Sequence, residues 1–353
     1  MTARAPAVSP GGLLDAAAFR PRVPWLGGDL QTLRNFIRRP YHDLAPWPAR
    51  RLELALRDGS GDRLVGSLHG VGRDAGPGGG PGGKPGGRGL VVLLHGLTGC
   101  EDSLYLRASA VHFLTRGYSV LRLNLRGAGP SRPLCGDQYH AGRSGDLRDA
   151  LLALRQDAGV DFDSGLHLMG YSLGANMLLR FLAEDAADFP LRAAVAVSTP
   201  IDLKATQRRL MQPRNRVYHR YLLTRMRAEA LATPRELTPA ERAAIRSADS
   251  VFAYDEQVIA PRNGFAGADD YYAQCSGLRF LPAIKTPTLL LQARDDPWIP
   301  AAAYEGFDWT AQPALTLLLT ESGGHVGFHG RDRSAAWHDL AAEVFFERAA
   351  AAS

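Results

Sequence analysis

The chain has 353 residues, of which 45% are hydrophobic and 22% are charged, a composition close to the average of globular proteins. This composition excludes a wholly disordered chain, and the longest apolar runs, such as Leu90–Leu94 and Leu315–Leu319, are much shorter than the roughly 18 residues of a membrane-spanning helix. The formal net charge is +5, but without a nucleic-acid-binding motif this charge is weak evidence, and we expect no nucleic-acid partner.

The N-terminal residues 1–20 lack the pattern of a signal peptide and are predicted to form a loose tail. Cys100, Cys135 and Cys275 are odd in number and far apart, which is typical of reduced thiols and predicts a cytoplasmic protein. Residues 71–88 contain nine Gly and three Pro, and such a segment buries too little apolar surface to offset its ordering entropy. It is interpreted as a mobile surface loop rather than a domain linker, because too few residues precede it to form a domain.

The periodicity of apolar residues predicts an alternation of strands and helices. The predicted strands are Arg51–Leu56, Arg63–Leu68, Leu90–Leu94, Ser119–Leu123, Leu166–Met169, Ala193–Ser198, Thr288–Gln292 and Leu315–Thr320. The predicted helices are Tyr105–Arg116, Gly145–Gln156 with Ser144 as its N-cap, Leu173–Glu184 and Ser334–Ala350. Strands that alternate with helices indicate an α/β fold, in which a mostly parallel sheet is covered on both faces. The whole of residues 21–353 is predicted to be a single domain.

The segment of about residues 201–285 interrupts this alternation with helical patterns and no buried strand. It is predicted to be a helical cap over the carboxyl edge of the sheet, where open α/β folds bind their ligands. Between Lys204 and Glu229 it carries eight Lys or Arg residues and one acid, with Tyr218 and Tyr221 among them. Two interpretations stay open: a solvated helix face, or peripheral contact with an anionic membrane.

The sharpest motif is Gly170-Tyr171-Ser172-Leu173-Gly174, a GxSxG sequence between a predicted strand and a predicted helix. A tight strand-to-helix turn leaves no room for side chains at the two glycines and exposes the serine hydroxyl at its tip. Ser172 is therefore the candidate nucleophile. The alternative, a turn that serves packing alone, is disfavoured by this context.

A serine nucleophile needs a base that is held by an acid. The predicted strand Thr288–Gln292 is followed by Asp295 and Asp296, and the last predicted strand is followed by His325. Either carboxylate could be the acid by position; Pro297, which fixes the backbone after Asp296, favours Asp296, and Asp295 is then expected to cap an amide or to pair with an Arg. His325 is the candidate base, with His329 as its rival.

The backbone amides of Leu97 and Leu173 are the candidate oxyanion-hole donors, because they lie just after the first buried strand and just after the nucleophile. His95 is expected to organise the loop that carries Leu97. The chain contains no HExxH motif, no ladder of Cys and His, and no P-loop. We therefore expect no metal, no nucleotide and no other cofactor.

These features resemble the α/β-hydrolase superfamily and, within it, the YheT-like branch that includes ABHD-type esterases and lipases. The resemblance also rests on the motifs Asp29–Thr32, Asn124–Gly127, Tyr139–Gly142, Tyr218–Leu222, Asp270–Tyr272, Ala293–Pro297 and Gly323–Phe328. Asp29 stands where the family pattern has a His. The resemblance implies the α/β-hydrolase fold and hydrolysis of short- to medium-chain acyl esters or monoacylglycerols. A peptidase or amidase on the same fold, and a non-catalytic ligand-binding member, are the alternatives.

Overall fold

Eight strands form one mostly parallel sheet in the computed structural model, which describes residues 14–70, 87–160, 162–331 and 335–351. The sheet order is β1-β2-β4-β3-β5-β6-β7-β8, and only β2 runs antiparallel to its neighbours. The strands are β1 (Arg50–Ala55), β2 (Arg63–His69), β3 (Leu90–Leu94), β4 (Ser119–Leu123), β5 (Leu166–Tyr171), β6 (Leu191–Val197), β7 (Thr288–Ala293) and β8 (Leu315–Thr320).

Helices cover both faces of the sheet. In chain order they are α1 (Gly28–Arg38), α2 (Leu104–Leu114), α3 (Gly145–Gln156), α4 (Leu173–Glu184), α5 (Leu203–Leu210), α6 (Arg216–Leu231), α7 (Pro239–Ser247), α8 (Val251–Tyr254), α9 (Ala260–Arg262), α10 (Ala268–Cys275), α11 (Ala302–Glu305) and α12 (Trp337–Ala351). Successive strand residues point to opposite faces. Val92 therefore joins the core packed by α3 and α4, whereas Leu93 joins the core packed by α2 and α12.

The structure agrees with the strands and helices predicted from residue 90 onward to within about three residues. Two predictions, the N-cap of α3 and the loose N-terminal tail, differ from the structure. Ser144 does not cap α3, because its own backbone is helical and its hydroxyl donates to Glu184 instead. Part of the expected tail is packed: Phe19 is buried between the rings of Phe328 and Trp337. The predicted loop at 71–88 lies outside the described residues for positions 71–86, as do residues 1–13 and Ser334.

A buried arginine ties the turn between β1 and β2 to the rest of the fold. The guanidinium of Arg126 is 1% exposed and donates to Asp58, Asp62 and Asp146 at 2.6 to 2.9 Å. Hydrogen bonds from Ser60 and Arg126 lower the pKa of Asp58 to about 2. Since three carboxylates surround one cation, Arg126 is a structural residue that holds the N-terminal hairpin against α3.

The helical cap lies between β6 and β7 and contains α5 to α10. A single π-helical stretch, Asp255–Ile259, joins α8 to α9. The hydroxyl of Tyr271 in α10 accepts a hydrogen bond from the amide of Ala141 at 3.0 Å, so the motif Asp270–Tyr272 meets the motif Tyr139–Gly142 directly. Within the described ranges, no helix is both long enough and apolar enough to cross a membrane.

Candidate active site

Ser172 stands at the turn between β5 and α4 in a strained backbone conformation. Its φ is +51° and its ψ is −122°, values that side-chain-bearing residues rarely adopt. A Cβ at Gly170 would lie 2.7 Å from Cα of Ala175, and a Cβ at Gly174 would lie 2.3 Å from the carbonyl oxygen of His95. Both glycines are therefore needed for the close packing of the turn, as the motif predicts.

Three side chains that follow the carboxyl ends of β5, β7 and β8 meet in one hydrogen-bonded line. Oγ of Ser172 lies 3.0 Å from Nε2 of His325, and Nδ1 of His325 lies 2.9 Å from Oδ2 of Asp296. Asp296 is 1% exposed. Both distances are within hydrogen-bond range, so the arrangement suits transfer of a proton from the serine to the imidazole.

The two neighbouring aspartates have separate tasks. Oδ1 of Asp296 accepts hydrogen bonds from the amides of Trp298 at 2.8 Å and Ile299 at 3.0 Å, which orients its other oxygen toward His325. Oδ1 of Asp295 instead accepts from the amide of Gly324 at 2.9 Å. The structure thus brings Asp296, and not Asp295, to the imidazole, and Asp295 caps an amide of the loop that carries His325.

Helix α1 supports the loop that carries His325. The hydroxyl of Thr32 accepts from the amide of His325 at 2.8 Å and donates to the carbonyl of Gly28. The amide side chain of the buried Gln31 bonds to both the backbone nitrogen and the backbone oxygen of His329. A Cβ at Gly28 would lie 1.8 Å from the carbonyl oxygen of Asp295, so the helix and the acid loop are in direct contact.

Sequence reasoning missed α1 and its task. The motif Asp29–Thr32 was the available signal for a functional role of this segment. Its sequence alone does not indicate which distant loop it contacts. The rival base His329 is held by these same contacts. Its Nδ1 lies 3.4 Å from Nη1 of Arg34, and burial lowers its pKa to about 3. The structure therefore directs the ring of His329 to Arg34 and brings only His325 to Ser172.

Leu97 and Leu173 both line the pocket in front of Ser172. The amide of Gly96 donates to the hydroxyl of Tyr105 at 2.9 Å, and the amide of Thr98 donates to the hydroxyl of Tyr139 at 2.6 Å. In the described part of the chain, the amides of Leu97 and Leu173 donate to no protein acceptor. Two unpaired donors beside a serine hydroxyl are suited to stabilise an oxyanion.

His95 anchors the loop that carries Leu97. Its Nε2 accepts from the amide of Leu125 at 3.0 Å, and its Nδ1 lies 2.8 Å from the carbonyl oxygen of Gly96. The ring is fully buried, and this burial lowers its pKa to about 4. A neutral imidazole with both nitrogens occupied holds the backbone and has no free atom to offer a substrate.

A mainly apolar pocket extends from Ser172 beneath the cap. The lining residues come from loops at the carboxyl edge of the sheet and from four cap helices. The apolar lining residues include Leu97, Leu173, Leu203, Leu210, Leu222, Met226, Val251, Ile259, Trp298 and Ile299. The ring of Trp298 lies 4.2 Å from that of His325. Two carboxyl groups also line the pocket, and burial raises the pKa of both Glu229 and Asp255 to about 7.

Comparison with known proteins agrees with this geometry. The family model described as "alpha/beta hydrolase fold" matches residues 89–332, more than half of the chain. The chain belongs to the α/β-hydrolase family. Within it, the hydrolase belongs to the YheT/ABHD-type branch: it is 34% identical over 243 residues to "Putative esterase YheT" of Escherichia coli (strain K12), a match that covers 68% of this chain and 70% of the relative.

Two further relatives illustrate the range of the family. The hydrolase is 30% identical over 255 residues to "Monoacylglycerol lipase" of Saccharomyces cerevisiae (strain ATCC 204508 / S288c), which covers 69% of this chain and 56% of the relative. The solved structure of the Pyrococcus furiosus esterase Pf2001 matches with a TM-score of 0.55 and 20% identity, and covers 86% of this chain and 93% of that one. This structural likeness shows the shared fold. The chain spans little more than half the length of the yeast lipase.

The basic residues of the cap segment of the hydrolase fall into two groups, those that contact protein groups and those that are exposed without a partner. Five of the eight between Lys204 and Glu229 contact protein groups, namely Lys204, Arg209, Arg214, Arg225 and Arg227. Arg208, Arg216 and Arg220 are exposed and have no partner within the described ranges. The solvated-face interpretation therefore describes only part of this segment, because most of its cations bind protein groups, two of them within the cap and three in other parts of the fold.

Asp29, the departure from the family pattern, joins α1 to the cap. Its Oδ2 accepts from Arg214 at 2.9 Å, and its Oδ1 accepts from the hydroxyl of Tyr218 at 3.0 Å. The ring of Tyr218 in turn contacts Trp298. Among the described residues of the hydrolase, no group of three or more His, Cys, Asp and Glu side chains is placed to hold a metal ion.

Proposed function

We propose that this α/β hydrolase cleaves carboxylic esters with Ser172 as nucleophile, His325 as general base and Asp296 as the acid that orients it. The observation that carries the proposal is the line of two hydrogen bonds, 3.0 and 2.9 Å long, from the serine through the imidazole to the buried carboxylate. Ester hydrolysis is also the activity in the names of the E. coli and yeast relatives.

The mechanism follows from the parts. His325 takes the proton from Ser172 as Oγ attacks the ester carbonyl, and the amides of Leu97 and Leu173 stabilise the negative charge on the carbonyl oxygen. The protonated His325 then gives its proton to the leaving alcohol. Water repeats these steps on the acyl-enzyme and regenerates the free serine. Asp296 remains ionised throughout and stabilises the imidazolium.

The pocket supports a substrate with an aliphatic acyl chain. Its walls are apolar around Ser172, and Leu222 and Met226 of the cap are both nearly fully buried. Short- to medium-chain acyl esters and monoacylglycerols are the proposed substrate class. No cofactor enters this mechanism. The proposed compartment is the cytoplasm, supported by the free thiols of Cys100, Cys135 and Cys275.

One observation favours a second candidate function. Glu229 and Asp255 line the same pocket, and neither forms an ion pair among the described residues. A peptidase or amidase of this fold would need a charged group that binds the free amino group of its substrate, and these carboxyl groups are the available ones. The ester remains the first candidate because the surrounding wall is apolar.

A panel of p-nitrophenyl esters graded by acyl length, with a matched p-nitroanilide for each acyl group, tests the proposal. We expect hydrolysis of the esters by the wild-type protein, a preference for short to medium chains, and none by Ser172→Ala. Faster cleavage of the anilides, and above all of aminoacyl anilides, would favour the peptidase. Absence of turnover on the whole panel would favour a non-catalytic ligand-binding protein.

A further inference from the structure

Helix α1 presents its apolar side chains to solvent. Leu30, Phe36 and Ile37 are 42%, 58% and 56% exposed, while the polar Gln31 is fully buried against the loop that carries His325. A surface helix of a globular protein ordinarily buries its apolar stripe and exposes its polar one. The reversed orientation leaves an apolar stripe without a partner in the described structure.

Helix α6 of the cap extends this stripe. Val217 and Tyr221 on α6 are 81% and 46% exposed, and the ring of Tyr221 lies 6.3 Å from that of Phe36. The two helices are also joined near their N-terminal ends, where Asp29 accepts hydrogen bonds from Tyr218 of α6 and from Arg214 just before it. We call the surface formed by Leu30, Phe36, Ile37, Val217 and Tyr221 the α1–α6 face.

Cations surround the α1–α6 face. Arg38 and Arg39 at the end of α1, and Arg216 and Arg220 on α6, are all exposed. None of the four forms an ion pair with a carboxylate in the described ranges, and the guanidinium of Arg39 lies over the ring of Phe36. Asp29, which lies between the helices, is already paired with Arg214. An apolar centre with a rim of unpaired guanidinium groups is complementary to a layer of acyl chains beneath anionic phosphates.

We infer that the α1–α6 face docks onto the surface of an anionic phospholipid bilayer, with its apolar side chains at the acyl boundary and its arginines on the phosphates. The sequence placed a possible membrane contact on the basic cap segment alone, whereas this assignment places it on a surface that α1 and α6 form together. Five of the eight basic residues of the cap segment contact protein groups, so that segment by itself offers few free cations.

Docking in this orientation would bring the substrate pocket close to the membrane. Leu222 and Met226 of α6 line the pocket. On the same helix Tyr218 contacts Trp298, whose ring in turn contacts that of His325. One helix thus borders both the docking surface and the active site. The use of docking to reach lipid esters rests on the proposed function, whereas binding to the bilayer does not depend on it.

Sedimentation of the full chain with lipid vesicles tests the inference. We expect binding to vesicles of equal parts phosphatidylcholine and phosphatidylglycerol, and much weaker binding to phosphatidylcholine alone. Binding should fall in about 1 M salt, where the Debye length shrinks to about 3 Å and attraction between exposed charges is screened. Equal binding to both vesicles, or no binding to either, would overturn the inference.

Matched variants locate the surface. Arg216→Glu/Arg220→Glu should weaken vesicle binding at least about twenty-five-fold, from a contribution of about a factor of five for each Arg near an anionic surface. Arg242→Glu/Arg246→Glu makes the same change, at the same helical spacing, on the exposed side of α7 and should leave vesicle binding within about twofold of that of the wild type. Equal losses in the two variants would mean a general effect of charge and would contradict the assigned face.

A second pair of variants tests the apolar centre. Phe36→Ser should lower vesicle binding about tenfold or more through the lost apolar contact. Phe252→Ser, which changes an exposed aromatic residue of the cap outside the α1–α6 face, should leave vesicle binding unchanged. Sedimentation velocity in the absence of lipid tests the alternative that the α1–α6 face binds a second copy of the chain. A dimer that Phe36→Ser dissociates would overturn the bilayer assignment.

The same experiments separate this inference from the proposed function. Each variant is also assayed on a water-soluble ester, and the four surface variants should retain wild-type kcat/KM. Ser172→Ala should bind vesicles like the wild type. Ester hydrolysis without vesicle binding would refute docking alone, and vesicle binding without ester hydrolysis would refute the proposed activity alone.

Discussion

The hydroxyl of Thr32 in α1 accepts a hydrogen bond from the backbone amide of His325, across 293 positions of the chain, at a distance of 2.8 Å. This bond joins the N-terminal helix to the loop that carries the proposed base. The position of His325 relative to Ser172 therefore depends on a residue far from both in sequence.

Replacement of Thr32 tests this positioning. Thr32→Val keeps the shape of the side chain but leaves the amide of His325 without its acceptor, at a cost of about 1–3 kcal/mol for an unpaired buried group. We expect a fall in kcat of about tenfold with KM little changed, since a misplaced base slows the chemical step more than binding. Thr32→Ser, which keeps the hydroxyl, should restore kcat. Similar kcat values for the two variants would contradict the positioning role.

Ser172 should be the acylated residue. A fluorophosphonate probe reacts with an activated serine, and we expect it to label the wild-type protein and to leave Ser172→Ala unlabelled. Mass spectrometry of the labelled peptide identifies the site. Ser198, whose hydroxyl accepts from the amide of Val326, provides the matched control, and Ser198→Ala should still be labelled. Label on Ser172→Ala would show that another residue is the nucleophile.

The neighbouring carboxylates should respond differently to the same substitution. Asp296→Asn removes the charge beside Nδ1 of His325 and is expected to lower kcat about 10⁴-fold, the loss typical of an orienting acid. Asp295→Asn weakens a bond to the amide of Gly324 and should mainly lower stability, by about 1–3 kcal/mol. Steady-state kinetics and urea unfolding of both variants measure these effects. An inactive Asp295→Asn beside an active Asp296→Asn would reverse the assignment.

Arg126 should contribute far more to stability than an exposed arginine does. Arg126→Met leaves the buried carboxylates of Asp62 and Asp146 without their cation, and we expect a loss of about 3–5 kcal/mol in the free energy of unfolding. Arg63→Met removes the exposed pair with Glu53 and should cost less than about 1 kcal/mol. Urea unfolding at neutral pH compares them, and equal losses would show that the network around Arg126 is weakly coupled.

The buried ring of His167 should make the fold sensitive to acid. Burial lowers its pKa to about 4 from the ordinary 6.5. The unfolded chain therefore binds a proton as the pH falls below 6.5, while the folded protein stays neutral, so the stabilisation is full above pH 6.5 and is lost as the pH falls toward 4. In His167→Leu, the slope of unfolding free energy against pH should decrease by about 1.4 kcal/mol per unit in this window.

The matched control for that measurement is Leu168→Val, a change at the next position of β5. It should shift the whole stability curve without altering its slope, because no titrating group is removed. Identical slopes for the wild type and His167→Leu would show that this histidine does not contribute to the acid sensitivity.

The sequence alone determined the parts of this protein that depend on local pattern. The buried strands from β3 onward, the turn at Ser172 and the candidate residues after β7 and β8 could all be predicted, because the period of apolar residues reports which side of an element is buried. The choice of Asp296 over Asp295 rested on the resemblance of Ala293–Pro297 to the α/β-hydrolase pattern and on the proline after Asp296. The structure supplies the geometric reason, two amides that hold one oxygen of Asp296 in place.

Only the tertiary structure decided how distant segments meet. The packing of Phe19, the support of His325 by Thr32 and the pairing of Asp29 with Arg214 join residues that are far apart in the chain, and no spacing or periodicity encodes such contacts. The exposure of Phe36 and Ile37 is a further example. The apolar stripe of α1 is visible in the sequence, but its direction is set by Gln31 and Thr32, whose hydrogen bonds to the loop that carries His325 turn the polar side of the helix inward.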